Sequence, residues 1–324
     1  MRRIIPLLCL LFLLCGCGAE PSVSAPDEGD RLVIFTSRSA DVYDDAVREF
    51  ERRTGIWVEV HTADGTLPLL AQIAAGSSGC DLLLGAPPDA LSAYEDCFAP
   101  YAAPLASDIP AAYRDSEDRW TPFSLLPTVL IYNDQLVQRN VPDSWSDLLS
   151  LSWRGRIAFP DPAVSATGST ALQALTQVSS GEESAVLTAL ARNLGGVLPS
   201  ASDAVNAVAD GSCYVGVAPE DLALRAAEGG LRVTVVYPSE GAILQPDCAA
   251  VVRGCAHEDN ARAFIDFLLS DEVQTRLSQC ARRAVRAVPE EALPRELDYD
   301  PYTAGAHQKA LLTAWQAVTA EDAP

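Results

Sequence analysis

Residues 31–60 read RLVIFTSRSADVYDDAVREFERRTGIWVEV, and the order of residue types in this stretch decides the fold class. Arg31 to Phe35 is a β-branched and aromatic run that predicts a strand. After a polar loop, Thr36 to Ser39, the apolar residues Val42, Ala46, Val47 and Phe50 recur at the spacing of one helix face. Thr54-Gly55 is a helix stop, and Ile56 to His61 reads as a second strand. A further unit follows, with a helix over Leu69 to Ala75 and an apolar strand over Asp81 to Leu84. Strand-helix-strand order repeated in this way predicts a mostly parallel sheet covered by helices. Ligands of such sheets sit beyond the carboxyl ends of the strands, here the loops 36–39, 64–67 and 85–88.

A second α/β unit of similar make starts near Trp120. Strands are predicted at Val129 to Tyr132, Arg156 to Phe159, Cys213 to Val217, Arg232 to Tyr237 and Cys248 to Arg253. Helices are predicted at Pro142 to Leu149, Ala171 to Val178, Glu182 to Asn193, Ser202 to Ala209, Asn260 to Leu269 and Glu272 to Gln279. The expected fold class is α/β, with two lobes each built on a mixed, mostly parallel sheet flanked by helices.

Toward the N-terminus, Arg2 and Arg3 precede an apolar run from Ile4 to Leu14 that is long enough for a signal core and too short for a permanent span. Residues 1–16 therefore read as a signal peptide. Leu14-Cys15-Gly16-Cys17 resembles a bacterial lipobox, which makes Cys17 the expected lipidated N-terminus, anchored to the outer face of the cytoplasmic membrane or periplasmic if the host has an outer membrane. Residues 17–30, rich in Ser, Pro and Gly, have the composition of a tether.

The formal charge of −21 argues against nucleic acid as a partner, because no basic stripe is available to follow phosphates. Beyond Cys17 six cysteines remain: Cys80, Cys97, Cys213, Cys248, Cys255 and Cys280. An even number in an exported chain is compatible with disulfides, and Cys80 with Cys97 is the first pair to test. Zinc is a weaker reading, since His61, His257 and His307 lie far apart and no cysteine pair has ligand spacing. No cofactor and no metal is expected.

The joint order of several landmarks resembles a known family. They are "LVIFTSRS", "FERRTGIWVEV", "CDLLLGAPPDAL", "IYN", "SWSDLL", "WRGRIAFPDPAVSATGSTAL", "VGVAPED", "VVYPSEG", "ARAFIDFLLSDEVQ" and "RRAVR". This order is similar to the solute-binding proteins of the ferric-iron, phosphonate and sugar-phosphate type, which have the type II periplasmic-binding-protein fold. The resemblance implies two lobes, 31–126 plus 250–286 and 127–249 plus 287–324, that close by a hinge on a ligand between them. It also implies a monomer that delivers its solute to the permease of an ABC importer.

On that frame, Ser165, Thr167, Gly168 and Ser169 immediately precede a helix whose free N–H groups suit an oxyanion, and equally suit a plain cap. In the first lobe Ser37, Arg38 and Ser39 occupy the first strand-helix loop, with Arg38 able to grip an oxyanion or pair with Asp41. Thr66 and Gly85 hold the corresponding places in the next two units. Glu220, Asp221 and Glu240 stand at strand ends of the second lobe, where they could take an ammonium or sugar hydroxyls. Arg282, Arg283 and Arg286 are expected mainly to hold the hinge, with one of them able to reach ligand.

One departure narrows the ligand. Iron-binding members carry a tyrosine pair after the strand matching Cys213 to Val217, and often a histidine in the first loop. Here those places hold Asp221 and Leu222, and Ser39. Phenolates are hard ligands for a hard cation, so the expectation shifts to a phosphonate, a sugar phosphate or a similar oxyanion. The alternatives are ferric iron held without a tyrosine pair, or a solute-sensing subunit of a membrane signalling system. An enzyme is not expected, because no serine sits in a nucleophile elbow and the histidines are scattered.

Overall fold

Strand β1 (Arg31–Thr36) shows how the first lobe is assembled. Successive side chains point to opposite faces of a sheet. Leu32 and Ile34 accordingly pack under Tyr43, Val47 and Phe50 of helix α1 (Ala40–Thr54), while Val33 and Phe35 pack under helix α2 (Thr66–Ala74). Both faces are covered, so β1 is apolar nearly throughout rather than alternating. Helix α1 ends as the sequence predicts: Gly55 is left-handed, at φ 75°, and its N–H reaches Glu51 O at 2.9 Å.

The computed structural model describes residues 28–63, 65–76, 79–279, 282–286, 294–297 and 301–321. Residues 1–16, read above as a signal peptide, Cys17, most of the segment read as a tether and Cys280 lie outside the described residues.

β2 (Trp57–Thr62) lies between α1 and α2, and after α2 come β3 (Leu82–Ala86), α3 (Pro88–Ser92) and the long β4 (Thr121–Tyr132). The second lobe adds β5 (Ile157–Pro160), α4 (Ala166–Val178), α5 (Glu183–Asn193), β6 (Leu194–Leu198), α6 (Ala201–Ala209), β7 (Val215–Pro219), α7 (Glu220–Glu228) and β8 (Thr234–Val236). The chain then returns through β9 (Leu244–Val251), α8 (Glu258–Leu268), α9 (Asp271–Gln279) and β10 (Arg283–Ala284). Helix α10 (Pro301–Glu321) closes it.

The strand order is β2-β1-β3-β9-β4-β7-β5-β6. β1 is parallel to β2 and β3, and β5 is parallel to β6 and β7, as the strand-helix-strand pattern predicts. The antiparallel pairings centre on β4 and β9. β4 serves both halves of the sheet. Its first part, Thr121 to Pro127, pairs with β9, and its second part, Thr128 to Tyr132, pairs with β7 and β8. The pairing of β9 with β4 begins at Leu244, opposite Pro127. The second lobe repeats the two-faced packing of the first. Leu130, Phe159, Val215 and Val217 face α4, α5 and Trp315 of α10, while Val129, Ile131 and Ala158 face α6 and α7.

Several elements differ from the sequence reading, which has no helix at α3, α7 or α10 and no strand over the first half of β4. The helix expected over Pro142 to Leu149 is a 3-10 turn, Ser146–Leu149, entered through Trp145. β6 was not predicted, because its two glycines dilute the strand signal; a Cβ on Gly195 would stand 2.7 Å from Cys213 Sγ, so only glycine fits there.

The five described cysteines, Cys80, Cys97, Cys213, Cys248 and Cys255, are free thiols, and the expected Cys80–Cys97 bridge is not formed. Cys80 is buried and donates to Leu82 O at 3.3 Å, and burial pushes its thiol up. Among the described residues no cluster of three or more His, Cys, Asp or Glu is placed to hold a metal, and no helix is long and apolar enough to cross a membrane.

Candidate functional site

The start of α4 is built by the chain that precedes it. Asp161 O accepts from Ser165 N–H at 2.8 Å, and its carboxylate accepts from Ala163 N–H at 2.9 Å, which turns the chain sharply after β5. Ser165, in extended conformation, then caps α4 by accepting from Gly168 N–H at 3.4 Å. Gly168 is a packing glycine: a Cβ there would stand 2.1 Å from Pro160 O. Its absence lets the first turn of α4 press against the end of β5.

That turn forms one wall of a cleft of about 720 Å³. Pro162 to Ala166 and Ser169 line it on this side. The first lobe supplies Gly65 to Pro68 at the start of α2, and Pro87, Asp89 and Ala90 at the start of α3. Helix α10 supplies Gln308, Lys309, Leu312, Thr313 and Gln316 along the side. Loops at the carboxyl ends of β2, β3 and β5 thus meet across one cavity, the arrangement expected of a ligand site in open α/β sheets.

Three of the contact residues expected from sequence, Thr66, Ser165 and Ser169, line this cleft. Ser37 is joined to it through Thr66, their hydroxyls 2.9 Å apart. Ser169 is nearly buried, and its hydroxyl accepts from Gln308 of α10 at 2.8 Å. Thr167 and Gly168 belong to the same turn but stand behind the lining, and Ser39 is exposed at the start of α1.

The remaining expected residues are engaged elsewhere. Arg38 binds Asp247, at 2.6 Å and 3.2 Å to the same oxygen, and not Asp41, whose partner is Arg225. Gly85, at φ +83°, makes room for that arginine, since a Cβ would stand 2.4 Å from Arg38 Cγ. Asp247 in turn takes Arg282 at 2.7 Å, and Arg282 lies 3.3 Å from Asp221. Burial opposes the charge on Asp247, but the two guanidiniums outweigh it and hold its carboxyl below the usual range. Glu220, 1% exposed, accepts from Arg283 at 2.6 Å and 2.9 Å and from the Tyr237 hydroxyl. Burial and that bond push the Tyr237 phenol up to about 12.

Glu240 is a capping group: it accepts from Trp145 N–H at 3.0 Å and Ser146 N–H at 3.1 Å, and does not line the cleft. Arg286 reaches Asp108 at 2.7 Å and Asp271 at 3.1 Å. Arg282, Arg283 and Arg286 all hold structure together, and none lines the cleft.

Sequence reasoning missed Asp89, Gln245 and Lys309. Asp89 is buried at the second position of α3, and burial pushes its carboxyl up to about 6. It accepts from Ala90 N–H at 2.9 Å and from Gln245 at 3.0 Å, and Gln245 accepts from Thr170 of α4 at 2.7 Å. This relay ties the two walls together. Lys309 had one signal available: it is the sole lysine of the sequence.

The family of bacterial extracellular solute-binding proteins matches residues 77–306 of the chain, well over half of it. A candidate 2-aminoethylphosphonate-binding periplasmic protein of Salmonella typhi is 30% identical over 207 residues, 61% of this chain and 60% of its own length. Iron uptake protein A1 of Synechocystis is 26% identical over 295 residues, 82% of this chain and 79% of its own. Among solved structures, the periplasmic binding protein AfuA of Actinobacillus pleuropneumoniae, with fructose-6-phosphate bound, superposes with a TM-score of 0.79 at 23% identity, over 90% of this chain and 98% of that one. Apo ferric ion-binding protein A of Pasteurella haemolytica gives 0.78 at 16% identity, over 89% and 98%. These likenesses establish the two-lobed fold.

Proposed function

This chain belongs to the family of bacterial extracellular solute-binding proteins, and on that premise we propose that it captures a small oxyanion-bearing solute between its lobes and delivers it to the permease of an ABC importer. The observation that carries the ligand class is the first turn of α4. The small residues Ser165, Ala166 and Ser169 of that turn line a cleft whose other wall is the Thr66 loop, and a helix start of this kind suits an oxyanion. The N–H groups of Gly168 and Ser169 are already taken by Ser165, which leaves those of Ala166 and Thr167. A phosphonate or sugar phosphate suits it, and the kinship with proteins named for 2-aminoethylphosphonate supports the phosphonate branch.

The reading is preferred over ferric iron because the hard oxygen ligands near the hinge are already engaged. Tyr237 and Glu220 bind each other and Arg283. A binder rather than an enzyme is also the reading that fits a cleft in which, among the described residues, the one carboxylate, Asp89, bonds to Ala90 N–H and Gln245 and not to a hydroxyl. We further propose that the protein acts as a monomer held at the membrane by lipid on Cys17, with the lobes divided at the β4 crossing.

The test is a thermal-shift series with phosphonates, sugar phosphates and ferric ion. A solute at a hundred times its Kd stabilises by about 2.7 kcal/mol. A shift with a phosphorylated or phosphonated solute, reduced in Ser165→Ala, is the expected result. A shift with ferric ion alone would overturn the proposal.

A further inference from the structure

The residues lining the cleft include two with formal charge, Asp89 on the first-lobe wall and Lys309 on α10. Asp89 is 8% exposed, and its Oδ1 is fixed by Ala90 N–H and by Gln245. No other described side chain reaches its second oxygen. A carboxylate withdrawn from water with one oxygen open to a cavity is costly until a cation completes it. Burial raises the proton affinity of Asp89 for the same reason. Gln245 meanwhile locks this carboxyl to Thr170, the residue after Ser169, so the acid stands a fixed two hydrogen bonds from the oxyanion wall.

We propose that Asp89 is a cation subsite, accepting the primary ammonium of a solute whose oxyanion lies at Ser165 and Ser169. The inference rests on the oxyanion reading above and adds the second pole of the ligand. It selects a zwitterion such as an aminoalkyl phosphonate over a sugar phosphate, whose doubly negative head brings no cation to this wall. Hydroxyls alone would hydrogen-bond to Asp89 without neutralising it. Lys309, exposed at the cleft side, supplies a countercharge to the oxyanion and no competitor for Asp89, with which it makes no ion pair.

The test is isothermal titration of the purified protein with 2-aminoethylphosphonate, ethylphosphonate and fructose 6-phosphate, each against wild type, Asp89→Asn and Ser165→Ala. Wild type should prefer the aminated phosphonate over ethylphosphonate by about tenfold or more. Asp89→Asn, which keeps the shape and the bonds to Ala90 and Gln245, should lose that preference while holding ethylphosphonate at least as well as wild type. Ser165→Ala should weaken both phosphonates alike. Equal binding of the two by wild type, or a preference that survives in Asp89→Asn, would overturn the subsite and leave the oxyanion reading standing. Failure of wild type to bind any of the three would overturn that reading, and the subsite with it. Should Asp89→Asn not fold, Asp89→Ser takes its place, with the same two outcomes.

Discussion

Arg282 and Asp247 meet at 2.7 Å on the seam between the lobes, and both side chains are almost wholly withdrawn from water. Asp247 also binds Arg38, and Arg282 also donates to Ser124 at 2.9 Å. One carboxylate therefore balances two guanidiniums, from the β1–α1 loop and from the chain after α9. Asp247→Asn leaves Arg38 without its carboxylate and Arg282 with Asp221 alone, at 3.3 Å. The expected loss is about 3–5 kcal/mol, measured as the shift in urea unfolding. A loss under about 1 kcal/mol would show that water replaces the carboxylate.

Asp89 gives stability a pH dependence of opposite sense. Its folded-state value of about 6 lies above the usual carboxylate value of about 3.9, so the folded protein holds this proton more tightly than the unfolded chain does. Its contribution is complete below about pH 4 and is lost as pH rises through 6, worth on the order of 2–3 kcal/mol. Asp89→Asn should unfold at higher urea than wild type at pH 8, and the gap should close by pH 4. A gap that is flat with pH would contradict it.

Glu240 separates capping from ligand contact. Its carboxylate holds Trp145 and Ser146 N–H at the entry of a buried turn. Glu240→Ala should cost about 1–2 kcal/mol of stability and leave solute affinity within about twofold, since the residue does not line the cleft. Paired melting and titration experiments decide between the roles.

Gly168→Ala tests whether the turn must press against β5. The added methyl would meet the Pro160 carbonyl, a backbone group that cannot rotate away. We expect about 2–4 kcal/mol of destabilisation and a solute affinity lowered by about tenfold or more. Both are read from one protein preparation by melting and titration.

What the sequence made legible was whatever local pattern controls. The β1-α1-β2 unit follows from a β-branched run, one helix face and the Gly55 stop, all between Arg31 and Thr62. The Ser165 cap was equally readable, being Ser before a helix. The first half of β4 was not, because Pro122 and Pro127 argue against a central strand. The structure accommodates them at a bulge and at the point where pairing passes from β9 to β7. Nor could sequence assign Arg38 or Asp89, whose partners Asp247 and Gln245 lie 209 and 156 residues away. Charged residues in a loop look alike until the fold decides which of them are neutralised.

The order in which the first lobe draws on the chain bears on its synthesis. Leu32 and Ile34 pack with Phe264, Ile265 and Val285, so that core lacks part of its substance until nearly the whole sequence is available. A polypeptide threaded N-terminus first through a narrow channel would keep β1 and α1 without their partners for most of the passage. In such a passage the core of the lobe would be complete only after α8 and α9 emerge.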